Sequence, residues 1–215
     1  PCIIILSTLL AVALNSKIRG QNLYRTFFFL PTMTMPVAIA MVWKWLLNAD
    51  YGLVNYFLES LGAAPVNWLT NEKFILPSIM IISIWSGLGY NIVILLSGLQ
   101  SISRVYYEAA EIDGANKWQT FRNVTIPLLT PSIFFVSVTS LISATQVFDP
   151  IFVILGSTKG SLRDACRSIV FGIYENGFVY FKMGYACSQA IVLFLIILLL
   201  TYLQFVAQKK WVHYE

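Results

Sequence analysis

Charge is what this sequence has least of. Only 11% of its 215 residues are Asp, Glu, Lys or Arg, against 58% hydrophobic, and mean hydropathy is +0.73. Soluble domains carry roughly 25% charged residues, so a water-soluble globular enzyme is excluded and a polytopic membrane protein is expected. Histidine is represented by His213 alone, in a polar C-terminal tail, which excludes a histidine-built metal or catalytic centre. Cys2, Cys166 and Cys187 are too few and too scattered for a disulfide framework or a zinc site. The net charge is +4, with the bases spread through loops and forming no stripe, so no nucleic-acid partner is expected. A phosphate-cradling loop needs G-x-x-x-x-G-K followed by Ser or Thr. The nearest stretch, Gly156–Gly160, has neither that spacing nor a following helix, so no ATP site and no cofactor is expected in this chain.

The chain begins Pro-Cys-Ile-Ile-Ile, without Met and already inside an apolar run, Cys2–Leu14. That run is shorter than the roughly 20 residues a bilayer crossing needs, and it has no basic flank of the signal-peptide kind. The expectation is a fragment that lacks at least part of one span upstream. Four longer apolar segments follow: Phe27–Leu47, Phe74–Leu99, Ser132–Leu155 and Gly184–Ala207. Solid apolar runs without alternation point to helices, because lipid leaves an open sheet edge unpaired and a barrel alternates. The fold class is therefore all-α: a polytopic membrane helical bundle with five spans, read as one domain over residues 1–215.

Lys and Arg placement orients it. The loops Asn15–Thr26 and Gln100–Pro131 and the tail after Ala207 hold Lys17, Arg19, Arg25, Arg104, Lys117, Arg122, Lys209 and Lys210. The opposite loops, Asn48–Lys73 and Gly156–Met183, are longer yet hold only Lys73, Lys159, Arg163, Arg167 and Lys182. The first set is placed in the cytosol. Trp43, Trp45 and Trp68 on the outer side, with Lys44 able to snorkel, and Trp211 and Tyr214 inside, read as interfacial anchors.

One cytosolic segment, residues 103–130, is polar and closely punctuated. Val105, Ala109 and Ile112 recur at helical spacing, Asp113-Gly114 offers a left-handed helix terminus, and Asn116 with Gln119 has the form of a capping box. Trp118, Phe121 and Val124 give a second short helix an apolar edge, which Pro127 is expected to stop. Helix, tight turn, short helix and entry into the fourth span make a rigid bracket. It reads as a docking surface for a soluble partner or as the plain loop of a channel or secondary carrier.

The spacing goes further. Glu108-Ala109-Ala110, Gly114, and then Val124-Thr125-Ile126-Pro127 closely resemble the EAA loop of membrane permeases in binding-protein-dependent ATP-binding-cassette (ABC) importers. Val124 and Ile126 are conservative departures from its usual Ile-x-Leu-Pro ending. Residues 14–36, Trp43–Gly52, Gly87–Ile102, Gln146–Asp149 and the tail from Lys209 are similar to the sugar and glycerol-phosphate branch, whose N-terminal segment is missing here. The resemblance implies a coupling helix, Asn116–Val124, inserted into a cleft of a separate ATPase, with Trp118 and Phe121 as apolar contacts. Glu108 would meet a basic group of the ATPase, Gly114 would permit the turn, and Ala109, Ala110, Asp113 and Pro127 complete the motif. It further implies alternating access, two ATPase copies, a second homologous permease, an extracytoplasmic solute-binding protein and the bacterial inner membrane. A secondary transporter or channel independent of ATP is the alternative, for which Asp149 is the one clear acid within a span.

Polar groups inside spans are expensive and mark pathways or hold helices together. Asn91, Gln146, Phe148 and Asp149 suit a polyol path, with Ser143, Thr145 and Gln189 beside it; the other reading is helix-to-helix hydrogen bonding. The mixed-charge outer loop Gly156–Met183 is either a solvated hairpin or a receptor contact.

Overall fold

The computed structural model describes residues 1–16, 20–156, 160–209 and 211–212. Expectations attached to Lys17, Arg19, Lys159, Lys210, His213 and Tyr214 lie outside the described residues. All regular structure among the described residues is helical: α1 Cys2–Asn15, α2 Gln21–Met33, α3 Pro36–Leu46, α4 Leu53–Ser60, α5 Glu72–Ser101, α6 Arg104–Ile112, α7 Lys117–Thr120, α8 Ile126–Thr145, α9 Asp149–Leu155, α10 Ser161–Cys166, α11 Ile169–Tyr174 and α12 Met183–Gln208. Two π-helical turns, Phe121–Thr125 and Glu175–Val179, adjoin α7 and α11.

Three runs are long and apolar enough to cross a bilayer: α5, the stretch Lys117–Leu155, and α12. The expected second span, Phe27–Leu47, is not one straight helix. It is a pair, Leu23–Met33 and Pro36–Leu46, bent by 104°; counted as one span, it brings the number to four. The cause is Pro36, which has no N–H to donate and pushes the preceding residue into extended backbone; Met35 sits at φ −57, ψ 130 and Pro36 opens α3. α1 has 14 residues and is about 21 Å long, shorter than the hydrocarbon. The fourth apolar segment breaks as well, at Gln146–Phe148, and resumes with Pro150 in the first turn of α9.

The described residues fall into two compact units, each described separately. The first comprises residues 1–30, 87–142 and 198–215. Its core is Ala11, Leu14, Ile92, Leu95, Leu99, Leu129 and Val136. Gly98 lets α5 and α8 touch, since a Cβ there would collide with the Ser132 side chain; small residues are how lipid-embedded helices come close. Asn91, 4% exposed, donates to Ser140 Oγ at 3.1 Å. Phe134 meets Phe205 edge-on at 5.1 Å and also contacts Trp211.

The second unit comprises residues 31–86 and 143–197, around Ile75, Ile79, Ile82, Ile151, Ile154, Leu155 and Phe171. α3 lies on α9, and Lys44 Nζ reaches the Val153 carbonyl at 2.9 Å, where a cation suits the carbonyl-rich helix end. Trp43 is half-buried against this core and meets Trp85 edge-on. Trp68 is a hydrogen-bond donor to Asn55 Oδ1 at 2.8 Å. Asn55 is 3% exposed; its Nδ2 donates to the carbonyls of Ala49 and Val66, and its Oδ1 also accepts from Val66 N–H. That one amide ties Ala49, Val66 and Trp68 to α4.

The expected mixed-charge hairpin is internally paired. The Glu175 carboxylate, 3% exposed, meets both the Arg163 and the Arg167 guanidinium groups, the latter at 2.9 Å, and Arg163 lies over the Phe171 ring. Beside them Cys166 is buried, and burial pushes its thiol up from the ordinary value, disfavouring the reactive thiolate. Breaking a buried pair leaves an uncompensated charge, roughly 3–5 kcal/mol when both partners are buried and less here, where Arg167 is half-exposed. Glu175→Gln is therefore expected to lower the melting temperature in detergent. With Cys2 and Cys187 replaced by Ser, it should also speed labelling of Cys166 by a thiol dye; unchanged labelling would count against the ion triad as a fastener.

Candidate functional site

The polar segment folds as a bracket whose every joint is a hydrogen bond. Ser103 caps α6 through Val105 N–H at 3.4 Å. At the other end Gly114 takes φ +75, a left-handed conformation that costs a side-chain-bearing residue about 1–2 kcal/mol. Ala115 N–H bonds the Ala110 carbonyl at 2.9 Å and Gly114 N–H bonds that of Glu111 at 3.0 Å, the paired bonds of a Schellman terminus. Two residues on, Asn116 Oδ1 accepts from Gln119 N–H at 2.9 Å and Gln119 Oε1 accepts from Asn116 N–H at 2.8 Å, a complete capping box. The reversal from α6 to α7 has no unsupported joint.

One expectation needs correction. Pro127 does not stop the second helix: α7 runs through the π turn into α8 without a break. Pro127 lacks the N–H that would bond the Asn123 carbonyl and its ring crowds that oxygen; the wider turn, in which Ile126 N–H reaches Phe121 O, accommodates this defect. The apolar stripe Val105, Ala109, Ile112 faces outward. Val105 and Ile112 are exposed, Ile112 by 86%, while Ala110 is the buried residue of α6. Helical spacing identified a face but not its side. The inner face is made by Ala110 and Tyr107, whose hydroxyl lies 3.4 Å from that of buried Thr125. That link joins residues 18 apart and has no local signature.

What remains outward is a mixed surface. Trp118 is 66% exposed and leans on partly buried Phe121 at 5.5 Å. Glu108 shares the exposed side of α6 with Ala109 and Ile112 and makes no ion pair among the described residues. Asp113 closes α6 through its N–H to the Ala109 carbonyl. The arrangement can receive a groove: an aromatic knob, apolar flanks and an unpaired carboxylate, all on fixed backbone.

The polyol-path residues are not gathered at one place within either unit. Asn91 is in the first unit, spent on Ser140. Gln146, Phe148 and Asp149 are in the second. Gln146 is exposed in the helix break, Asp149 starts α9, and Phe148 stacks on Phe152 at 5.3 Å and touches Tyr174. Gln189 Oε1 accepts from Asn176 Nδ2 at 3.0 Å.

Gly114→Ala is expected to loosen the reversal by about 1–2 kcal/mol. Amide hydrogen exchange of residues 110–119 should then quicken by roughly 5- to 30-fold with α5 and α12 unchanged; unaltered exchange would remove the rigid bracket.

Known proteins agree with this architecture. A bacterial ABC transporter involved in the import of the acidic polysaccharide alginate, solved by crystallography, superposes with a TM-score of 0.86 at 24% identity, over 95% of this chain and 71% of that one, a likeness of fold. In sequence the chain is 36% identical over 208 residues to a probable ABC transporter permease protein of Bacillus subtilis, covering 96% of this chain and 66% of the relative. It is 34% identical over 214 residues to an sn-glycerol-3-phosphate transport system permease protein of Yersinia enterocolitica (99% and 71%). It is 35% identical over 216 residues to a lactose transport system permease protein of Rhizobium radiobacter (98% and 71%). The chain thus spans about two thirds of the length of these relatives. Residues 3–212 match one family throughout, and the chain belongs to it: the binding-protein-dependent transport system inner membrane components.

Proposed function

We propose that this chain is the membrane-spanning permease subunit of an ATP-driven importer for a sugar or a related polyol or glycerol-phosphate solute. One observation carries this reading. The exposed aromatic start of α7 is joined to α8 by continuous helix, from Lys117 through the π turn to Thr145. A displacement at Trp118 is delivered to a membrane-crossing rod without passing through a flexible loop.

In this reading residues 103–130 lie in the cytosol as the coupling loop of a single permease domain with five membrane segments. A separate ATPase supplies the energy. Trp118 and Phe121 seat in its groove, where aromatic anchors supply most of the holding energy, and Glu108 meets a basic group that sets orientation. Ala109 and Ala110 keep α6 slim beside that groove. One bracket serves one cassette, so the assembly holds two ATPase copies and a second homologous permease, with an extracytoplasmic solute-binding protein delivering solute. ATP binding draws the two brackets together and opens the path outward; hydrolysis resets it inward. Gln146, Phe148 and Asp149, at the break between α8 and α9, line the path on this chain, and Asn91 holds α5 to α8 through Ser140. Relatives named for lactose and sn-glycerol-3-phosphate transport support the solute class.

The test is uptake and ATPase activity of the whole transporter in proteoliposomes. Trp118→Ala is expected to weaken ATPase docking by about 2 kcal/mol, roughly 30-fold, and Glu108→Lys to abolish receptor-stimulated hydrolysis while membrane insertion stays normal. Uptake that survives removal of every ATPase would instead establish the secondary-transporter reading.

A further inference from the structure

One cation of the first unit is placed where a charge should not be left alone. Arg25, early in α2, is only partly exposed, and its Nε is shut off from solvent with no hydrogen-bond partner; no carboxylate pairs with it among the described residues. The same side chain heads a groove of about 390 Å³ lined by Phe28, Phe29, Gly89, Ile92, Val93 and Leu96. Buried Gly89, Ile92 and Leu96 floor it, and its walls are overwhelmingly apolar. The volume falls within the roughly 300–1,000 Å³ of small-ligand sites.

A guanidinium Nε shut off from water without a partner is unfavourable in an apolar setting, so the groove favours an occupant that supplies one. Its missing component must be anionic at one end and hydrocarbon over the rest. We infer that it is a specific site for an anionic phospholipid, with the headgroup phosphate on Arg25 and part of an acyl chain along Phe28, Phe29 and Leu96. A protein segment would have to bring a carboxylate and an apolar flank to the same spot; one lipid molecule carries both. Position agrees. Arg25 ends the basic segment 15–26, and Ile92–Leu96 lie on the stretch of α5 that leads into the coupling bracket. Cytosolic pockets of this kind, basic and between helices, take anionic headgroups. The inference rests on the membrane orientation used above but not on ATPase coupling.

The experiment uses the assembled transporter in detergent, equilibrated with equal amounts of phosphatidylglycerol and phosphatidylcholine, and counts retained lipid by native mass spectrometry. The intact protein is expected to keep phosphatidylglycerol in excess, Arg25→Gln to reduce that excess about fivefold, and Arg25→Lys to preserve most of it. Val93→Trp, at a half-exposed wall position, should fill the groove and reduce retention even if Arg25→Gln fails to assemble. Lys73→Gln, in the opposite loop, should change nothing, and inorganic phosphate in excess should leave the lipid bound. Equal retention of the two lipids, an excess indifferent to both Arg25→Gln and Val93→Trp, or displacement by phosphate would each overturn the site; the first would mean that a protein segment closes the groove. Normal lipid retention in a transporter insensitive to Glu108→Lys would sink the coupling reading and leave this one standing.

Discussion

The reversal at Asp113–Asn116 is the joint on which the whole segment from α6 into α8 depends. It is built from four residues in fixed order: Gly114, Ala115, Asn116 and Gln119. Gly114 gives the left-handed backbone, the amides of Ala115 and Gly114 close the carbonyls of α6, and the Asn116–Gln119 exchange satisfies the first donors of α7. Helix ends otherwise leave four donors or acceptors open. Here the Ala110 and Glu111 carbonyls and the Asn116 and Gln119 amides are closed by groups of the same short segment, so the reversal between α6 and α7 is set largely by local bonds.

A second theme is how few polar groups the apolar units contain and how fully most of them are used. Asn55 fills both donor and acceptor positions of its amide with four bonds, and Glu175 takes two arginines. Asn91 spends its donor on Ser140. Leaving a polar group unpaired in such surroundings is worse than burying it paired, which is why each sits at a junction between segments. Arg25 Nε and Gln204 Oε1 are buried without a hydrogen-bond partner, and the first of them borders an apolar groove.

Much of this was legible from the chain alone, and the pattern of what was not has a physical reason. The Gly114 turn and the capping box are written in residues three or four apart, so local chemistry predicts them. Long apolar runs predict α5 and α12 because lipid permits little else. The 104° bend at Met35–Pro36 was visible as a proline but masked by hydropathy that continues across it. Pro127 was read as a stop because the usual outcome of a proline is a break; a π turn absorbs it here. The stripe Val105–Ile112 was assigned by period, and period cannot say which medium a face meets. The Asn55 network, the Glu175 triad and the Tyr107–Thr125 contact join partners that only the folded chain brings together.

The backbone bonds and the two amides that hold the reversal make no use of the side chains of Lys117, Trp118, Arg122 or Asn123. Shape and recognition are therefore written in different letters. Replacement at those four positions alters what the knob presents and leaves its posture intact, so a handful of surface residues can be exchanged without rebuilding the turn beneath them.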